Sequence, residues 1–270
     1  MKHSGKDRCL GQSPGDGGGR VHYPPVVFCP DGREPAGMIR TRGFVMDSEN
    51  TQSEEGGGKE TTEIICIIDR SGSMESIRSD AIGGFNRFLA DEQAPDDPAR
   101  LTMVLFDDRY EVVHDGTDIR RVKPLTNRTF VPRGTTALLD AVGRTLNTVS
   151  ARLATIPVAE RPEKVIVVIL TDGLENASRE FSLTTVREMI TRYTHELKWD
   201  FIYLAANQDA FGESAKMGIA AANTLHFNAS SDGCSRVYDS ISSAIDLKRK
   251  YNDIRAWKDQ HKDGSDTDHQ

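Results

Sequence analysis

The decisive stretch is Ile64-Ile65-Cys66-Ile67-Ile68-Asp69-Arg70-Ser71-Gly72-Ser73. Five consecutive apolar residues, four of them β-branched, read as a strand buried on both faces of a parallel sheet. The run stops abruptly at a carboxylate, an arginine and two serines spaced around a glycine. A second run of the same kind, Val165–Leu170, stops at Thr171-Asp172-Gly173. Ligands of open α/β sheets gather outside the carboxyl ends of the strands. The residues that follow each run are therefore the first place to look for chemistry.

Outward from these runs the pattern alternates. Ile77, Ala81, Ile82, Phe85, Phe88 and Leu89 form one helical stripe; Ala137, Leu138, Ala141, Val142, Leu146, Val149 and Leu153 form another. A third comprises Val186, Met189, Ile190, Tyr193 and Leu197, and Val237, Ile241, Ala244 and Ile245 line a closing helix. Leu101–Phe106 and Tyr110–Val113 read as a hairpin about Asp107-Asp108-Arg109. Phe201–Ala205 and Thr224–Phe227 read as strands flanking a short helix at Asp209–Met217. Strands alternating with helices predict an α/β fold, a doubly wound (Rossmann-like), mostly parallel sheet with helices on both faces. The hairpin adds one antiparallel edge strand.

Composition divides the chain unevenly. Of 23 glycines, 12 precede residue 61, as do five of the 11 prolines. Residues 1–61 therefore read as a disordered leader and linker, with Met46 an alternative start, because too little apolar surface is present to offset ordering entropy. Residues 62–250 form the expected domain, and 251–270 a polar tail. The net charge of −7, from 34 basic and 41 acidic residues, excludes the basic footprint of a nucleic-acid binder. Cys9, Cys29, Cys66 and Cys234 contain no C-x-x-C pair, which argues against a zinc or redox motif. With no secretory signal and no apolar run long enough to span a bilayer, a cytoplasmic protein without membrane insertion is expected.

Three segments supply the chemistry: Asp69-Arg70-Ser71-Gly72-Ser73, Gly134-Thr135-Thr136-Ala137 at the start of the second helix, and Thr171-Asp172-Gly173. They offer two carboxylates and several hydroxyls at one end of one sheet. Such a hard, oxygen-only set with little negative charge suits Mg²⁺ or Mn²⁺ and not zinc. Singly, each segment is an ordinary turn or helix cap, and Ser73 could simply cap a helix beginning near Glu75. Jointly, each at its expected topological place, they make a strong signal. Asp107 and Asp108 read as turn residues, and Asp209 as a helix cap.

These segments, in this order and spacing, resemble the metal-ion-dependent adhesion site of the von Willebrand factor type A domain. The likeness is greatest to small stand-alone bacterial proteins of that family and covers about residues 62–250. It implies strand order 3-2-1-4-5-6. It also implies that Ser71 and Ser73 ligate a cation directly, that Asp69 and Asp172 do so directly or through water, and that Thr136 engages with the bound state. The implied partner is a protein whose Asp or Glu completes the metal shell, with an AAA+ ATPase one family precedent. Arg70, Thr135, Glu175, Asn176, Asn207 and Asp209 are expected on the rim that chooses this partner. The alternative is a metal-dependent phosphoesterase using the same cation as Lewis acid, but no general base stands out beside these segments.

Overall fold

A computed structural model describes residues 61–206, 209–228, 230–251 and 254. The leader expected over 1–61 lies, but for residue 61, outside the described residues, as does Asn207. Among the described residues six strands form one sheet in the order β3-β2-β1-β4-β5-β6. The strands are β1 (Thr62–Asp69), β2 (Ala99–Phe106), β3 (Tyr110–Asp118), β4 (Lys164–Thr171), β5 (Asp200–Ala205) and β6 (Thr224–His226). The helices are α1 (Arg78–Gln93), α2 (Leu138–Thr155), α3 (Leu183–Glu196), α4 (Ala210–Lys216) and α5 (Ser231–Tyr251). Only β2 and β3 pair antiparallel, giving the one reversed edge strand that the hairpin implies.

The central strand explains the two-faced core. Along β1 every residue is buried, and successive side chains point to opposite faces. Ile64, Cys66 and Ile68 pack with Phe85 and Phe88 of α1 and with Val237 and Ile241 of α5. Ile65 and Ile67 pack on the other face with α2 and α3 through Val142, Leu146, Val186 and Ile190. Ile254 also joins the first core, so packed chain continues past residue 250 into the stretch expected as tail. No helix among the described residues is long and apolar enough to cross a membrane.

Two boundaries differ from the sequence reading. The strand expected over Tyr110–Val113 runs on to Asp118. His114–Asp118 has no apolar alternation because this outer strand is half solvated and is interrupted by register shifts between Leu101, Met103 and Val104 of its partner. Before α1, Gly72–Ile77 forms a 3-10 turn, and no side chain caps it or α1. Ser73 is therefore left for another role.

Opposite the loops of interest, α5 is fastened to the sheet. Lys248 pairs with Asp200 at 2.5 Å, Arg249 with Glu92 at 2.8 Å, and Lys164 Nζ donates to the Arg249 carbonyl at 2.8 Å. Glu92 is 3% exposed, and its burial, partly offset by Arg249, pushes its carboxyl up to about 7. Between the ordinary glutamate value near 4.5 and about 7, the folded state holds a proton that the unfolded chain releases. Glu92 therefore contributes a loss of stability as pH rises through that window. Glu92→Gln should reduce the fall in Tm between pH 5 and pH 7, measured by thermal denaturation; an unchanged fall would show that Glu92 enters the folded state already charged.

Candidate functional site

The sheet register builds the site. Parallel pairing of β1 with β4 ends at Ile68 and Leu170, which sets Asp69 beside Thr171. The Thr171 hydroxyl donates to Asp69 Oδ2 at 2.6 Å, and the Ser71 amide donates to Asp69 Oδ1 at 2.7 Å. Ser71 Oγ and Ser73 Oγ lie 3.1 Å apart, and Ser73 Oγ donates to Asp172 Oδ1 at 2.7 Å. A methyl group built on Gly173 would lie 3.0 Å from Thr136 Oγ1, 3.7 Å from Ser73 Oγ and 3.9 Å from Asp69 Oδ2. Asp69, Ser71, Ser73, Thr136 and Asp172 therefore converge, and a glycine at 173 avoids crowding the Thr136 hydroxyl.

The charges there are poorly supported. Asp69 is fully buried, and desolvation pushes its carboxyl up to about 6 despite the hydrogen bonds from Thr171 and Ser71. Burial also raises the Asp172 carboxyl, with Ser73 opposing. Among the described residues neither has a salt-bridge partner, and no three His, Cys, Asp or Glu side chains gather closely enough to hold a metal by themselves. The donor set is instead two carboxylates and three hydroxyls, all hard oxygens, and its unmet need is positive charge. These residues fit Mg²⁺ or Mn²⁺ on donor chemistry.

Arg70 does not lie on the rim. It is 3% exposed, and alternation past the end of β1 turns it away from Asp69 and Ser71. Its Nε donates to Asp107 Oδ2 at 3.2 Å and its Nη1 to Glu111 Oε2 at 2.8 Å. Asp107, expected as a simple turn residue, is fully buried and also accepts from Arg133 Nε at 2.9 Å and from the Arg109 amide at 2.7 Å.

Of the other rim residues, Thr135 is exposed beside buried Thr136. Glu175 and Asn176 spend their polar atoms on the chain itself. Asn176 Oδ1 accepts from the Thr136 backbone amide at 2.9 Å while the Asn176 backbone amide donates to the Thr136 carbonyl at 3.0 Å. Glu175 accepts from the Leu139, Ala177 and Ser178 amides, capping the start of α2. Asp209 precedes α4, but its side chain makes no capping hydrogen bond because its backbone, at φ −108° and ψ 30°, is not in the extended conformation of a capping residue. Thr171 and Asp140 belong to this assembly without having been expected as site residues, and Asp107 belongs to it although it reads as a turn residue in the sequence. Asp140 receives the Arg179, Glu180 and Phe181 amides at 2.8–2.9 Å.

No family model and no curated protein matches the sequence. Solved structures do. A D319A mutant of the PilB minor pilin from Streptococcus sanguinis is 10% identical over 76% of this chain and 64% of its own, with a TM-score of 0.52. That pilin shares the fold. The chain folds as a doubly wound α/β sheet whose strand order is the one that the resemblance implies. Also found are a von Willebrand factor type A protein from Catenulispora acidiphila (15% identical, 69% of this chain, 42% of that one, TM-score 0.45) and proximal thread matrix protein 1 from the mussel byssus with a zinc-occupied MIDAS motif (17%, 68%, 45%, 0.47). The chain spans less than half the length of these last two.

The ties between α2 and the loop after Asp172 differ in strength, and this can be measured. Asp140→Ala strands three amides and should cost about 2–3 kcal/mol in urea unfolding. Glu180→Ala removes only a partly exposed pair with Arg144 and should cost less than about 1 kcal/mol. Equal losses would show that the loop is not held through Asp140.

Proposed function

We propose that this von Willebrand factor type A-like domain is a cation-dependent protein-binding module and not an enzyme, serving as an adaptor in a cytoplasmic bacterial complex. The observation that carries the reading is the convergence of five oxygen-bearing side chains beside Gly173, with two carboxylates there that have no cationic side-chain partner among the described residues. Asp69, Ser71, Ser73, Thr136 and Asp172 would hold Mg²⁺ or Mn²⁺. When bound, the cation supplies a Lewis-acidic face for a carboxylate of the partner. The chain's own residues do the rest. Thr171 and the Ser71 amide fix both oxygens of Asp69, and Ser73 orients Asp172. The clasp between Asn176 and Thr136 holds the third segment in reach. Thr135, exposed next to Thr136, would meet the partner, an AAA+ ATPase being the class that the family resemblance suggests.

Mn²⁺ titration calorimetry tests the first half. Wild type should bind, and Asp69→Ala should not. Gly173→Ala, whose methyl would press on the Thr136 hydroxyl, should lower affinity roughly tenfold. Lysate pull-downs in Mg²⁺ and in EDTA test the second half. Partners retained equally by wild type and Asp69→Ala under both conditions would sink the bridging mechanism. Phosphoester turnover that disappears in Asp172→Ala would favour a hydrolase instead.

A further inference from the structure

The β2–β3 turn contributes nothing to the converging oxygens, yet the segments that carry Ser71, Ser73 and Thr136 are tied to it. The Arg70 amide donates to the Phe106 carbonyl at 2.6 Å, continuing the β1–β2 ladder one step past the strand. The Arg133 amide donates to the Arg70 carbonyl at 3.0 Å, and the Gly72 amide to the Gly134 carbonyl at 3.3 Å. The Ala137 amide then donates to the Asp107 carbonyl at 3.0 Å. The stretch 133–137 is thus pinned at both ends, with Thr136 next to the second pin. Gly134 makes the bend with φ +66°, and a Cβ there would strike the Asp108 carboxylate.

The Asp107 side chain sits at the centre of these ties. Its Oδ2 takes both Arg70 Nε and Arg133 Nε, and its Oδ1 takes the Arg109 amide. Arg70 is a buried guanidinium, which demands a counter-charge where it lies. Asp107 and Glu111 supply that charge, and Asp107 shares its own with Arg133, whose side chain is 42% exposed. The Asp107 carboxylate therefore adds a side-chain tie to the backbone hydrogen bonds that join the loop after β1 to the threonine loop.

We propose that Asp107 is a positioning residue of the cation site, setting the Thr136 hydroxyl through Arg133 and the Ala137 amide. The proposal rests on the cation-binding reading above. Changes one step removed from metal ligands typically cost 10–100-fold in metal affinity. Asp107→Asn keeps the shape and removes the shared charge. Arg133→Ala cuts the partly exposed arm of the same latch and leaves the buried Arg70–Asp107 pair in place, so it tests the idea with less risk to folding.

Both variants would be titrated with Mn²⁺ alone, each in the wild-type and the Thr136→Val background. We expect each to lower affinity about tenfold when Thr136 is present and by less than about twofold when it is absent, with Arg133→Lys recovering part of the loss. Equal losses in the two backgrounds would overturn the proposal, because Asp107 would then act on stability at large. Amide hydrogen exchange without metal gives an independent readout. Faster exchange at Ala137 in Asp107→Asn, with the amides of β4 unchanged, supports the latch; unchanged exchange at Ala137 overturns it. Absence of Mn²⁺ binding by wild type would overturn the cation reading itself, and exchange would still decide whether the latch exists.

Discussion

Parallel, in-register pairing of β1 with β4 is the constraint on which everything else stands. From Thr62 against Lys164 to Ile68 against Leu170 the two strands match without a shift. Both are buried along their whole length, so a slip of one residue would turn each side chain to the opposite face and disrupt two cores at once. Fixing that register fixes the meeting of Asp69 with Thr171, and through them the loops that carry Ser71, Ser73 and Asp172. Burial that stabilises the strands also makes a carboxylate at their tip costly to ionise, as the raised Asp69 shows. The same residues that specify the fold thus create an electrostatic need at one end of it.

Around this pair the remaining segment is held from two sides. The β2–β3 turn grips it through Asp107, and the loop after β4 grips it through Asn176, Glu175 and Asp140. Several of these contacts join a side chain to a backbone amide, which lets polar loops lie over the strand ends without leaving amides unpaired. The start of α2 is capped by residues some 36–40 positions further along the chain. Local capping and tertiary docking are here the same interaction.

That arrangement also explains what the sequence could and could not disclose. Apolar runs that end in Asp69 and in Thr171-Asp172 are local signals, and their alternation with helical stripes disclosed the doubly wound class, whereas strand order came only with the family resemblance. The roles of Arg70 and Asp107 were hidden because each depends on a partner some 37 residues away. Parity held a clue to the first: Asp69 and Ser71 share one direction past the strand end, and Arg70 takes the other. Glu175 and Asn176 sit where rim residues belong, but Glu175 accepts from Leu139 of α2 and Asn176 is bonded to Thr136 just before it, a fact no spacing rule encodes. The short strand expected over Tyr110–Val113 doubled in length because solvation of an outer strand erases the apolar alternation by which strands are recognised.

That outer strand governs how the molecule can meet others. β3 carries Glu111, Asp115 and Asp118, and its register with β2 is broken twice. A bulged, acidic border strand is a poor template for another chain's backbone. At the opposite border β6 is only three residues long, too short to seed a ladder. Growth of the sheet by an added strand is therefore discouraged on both sides, which guards the fold against edge-to-edge stacking.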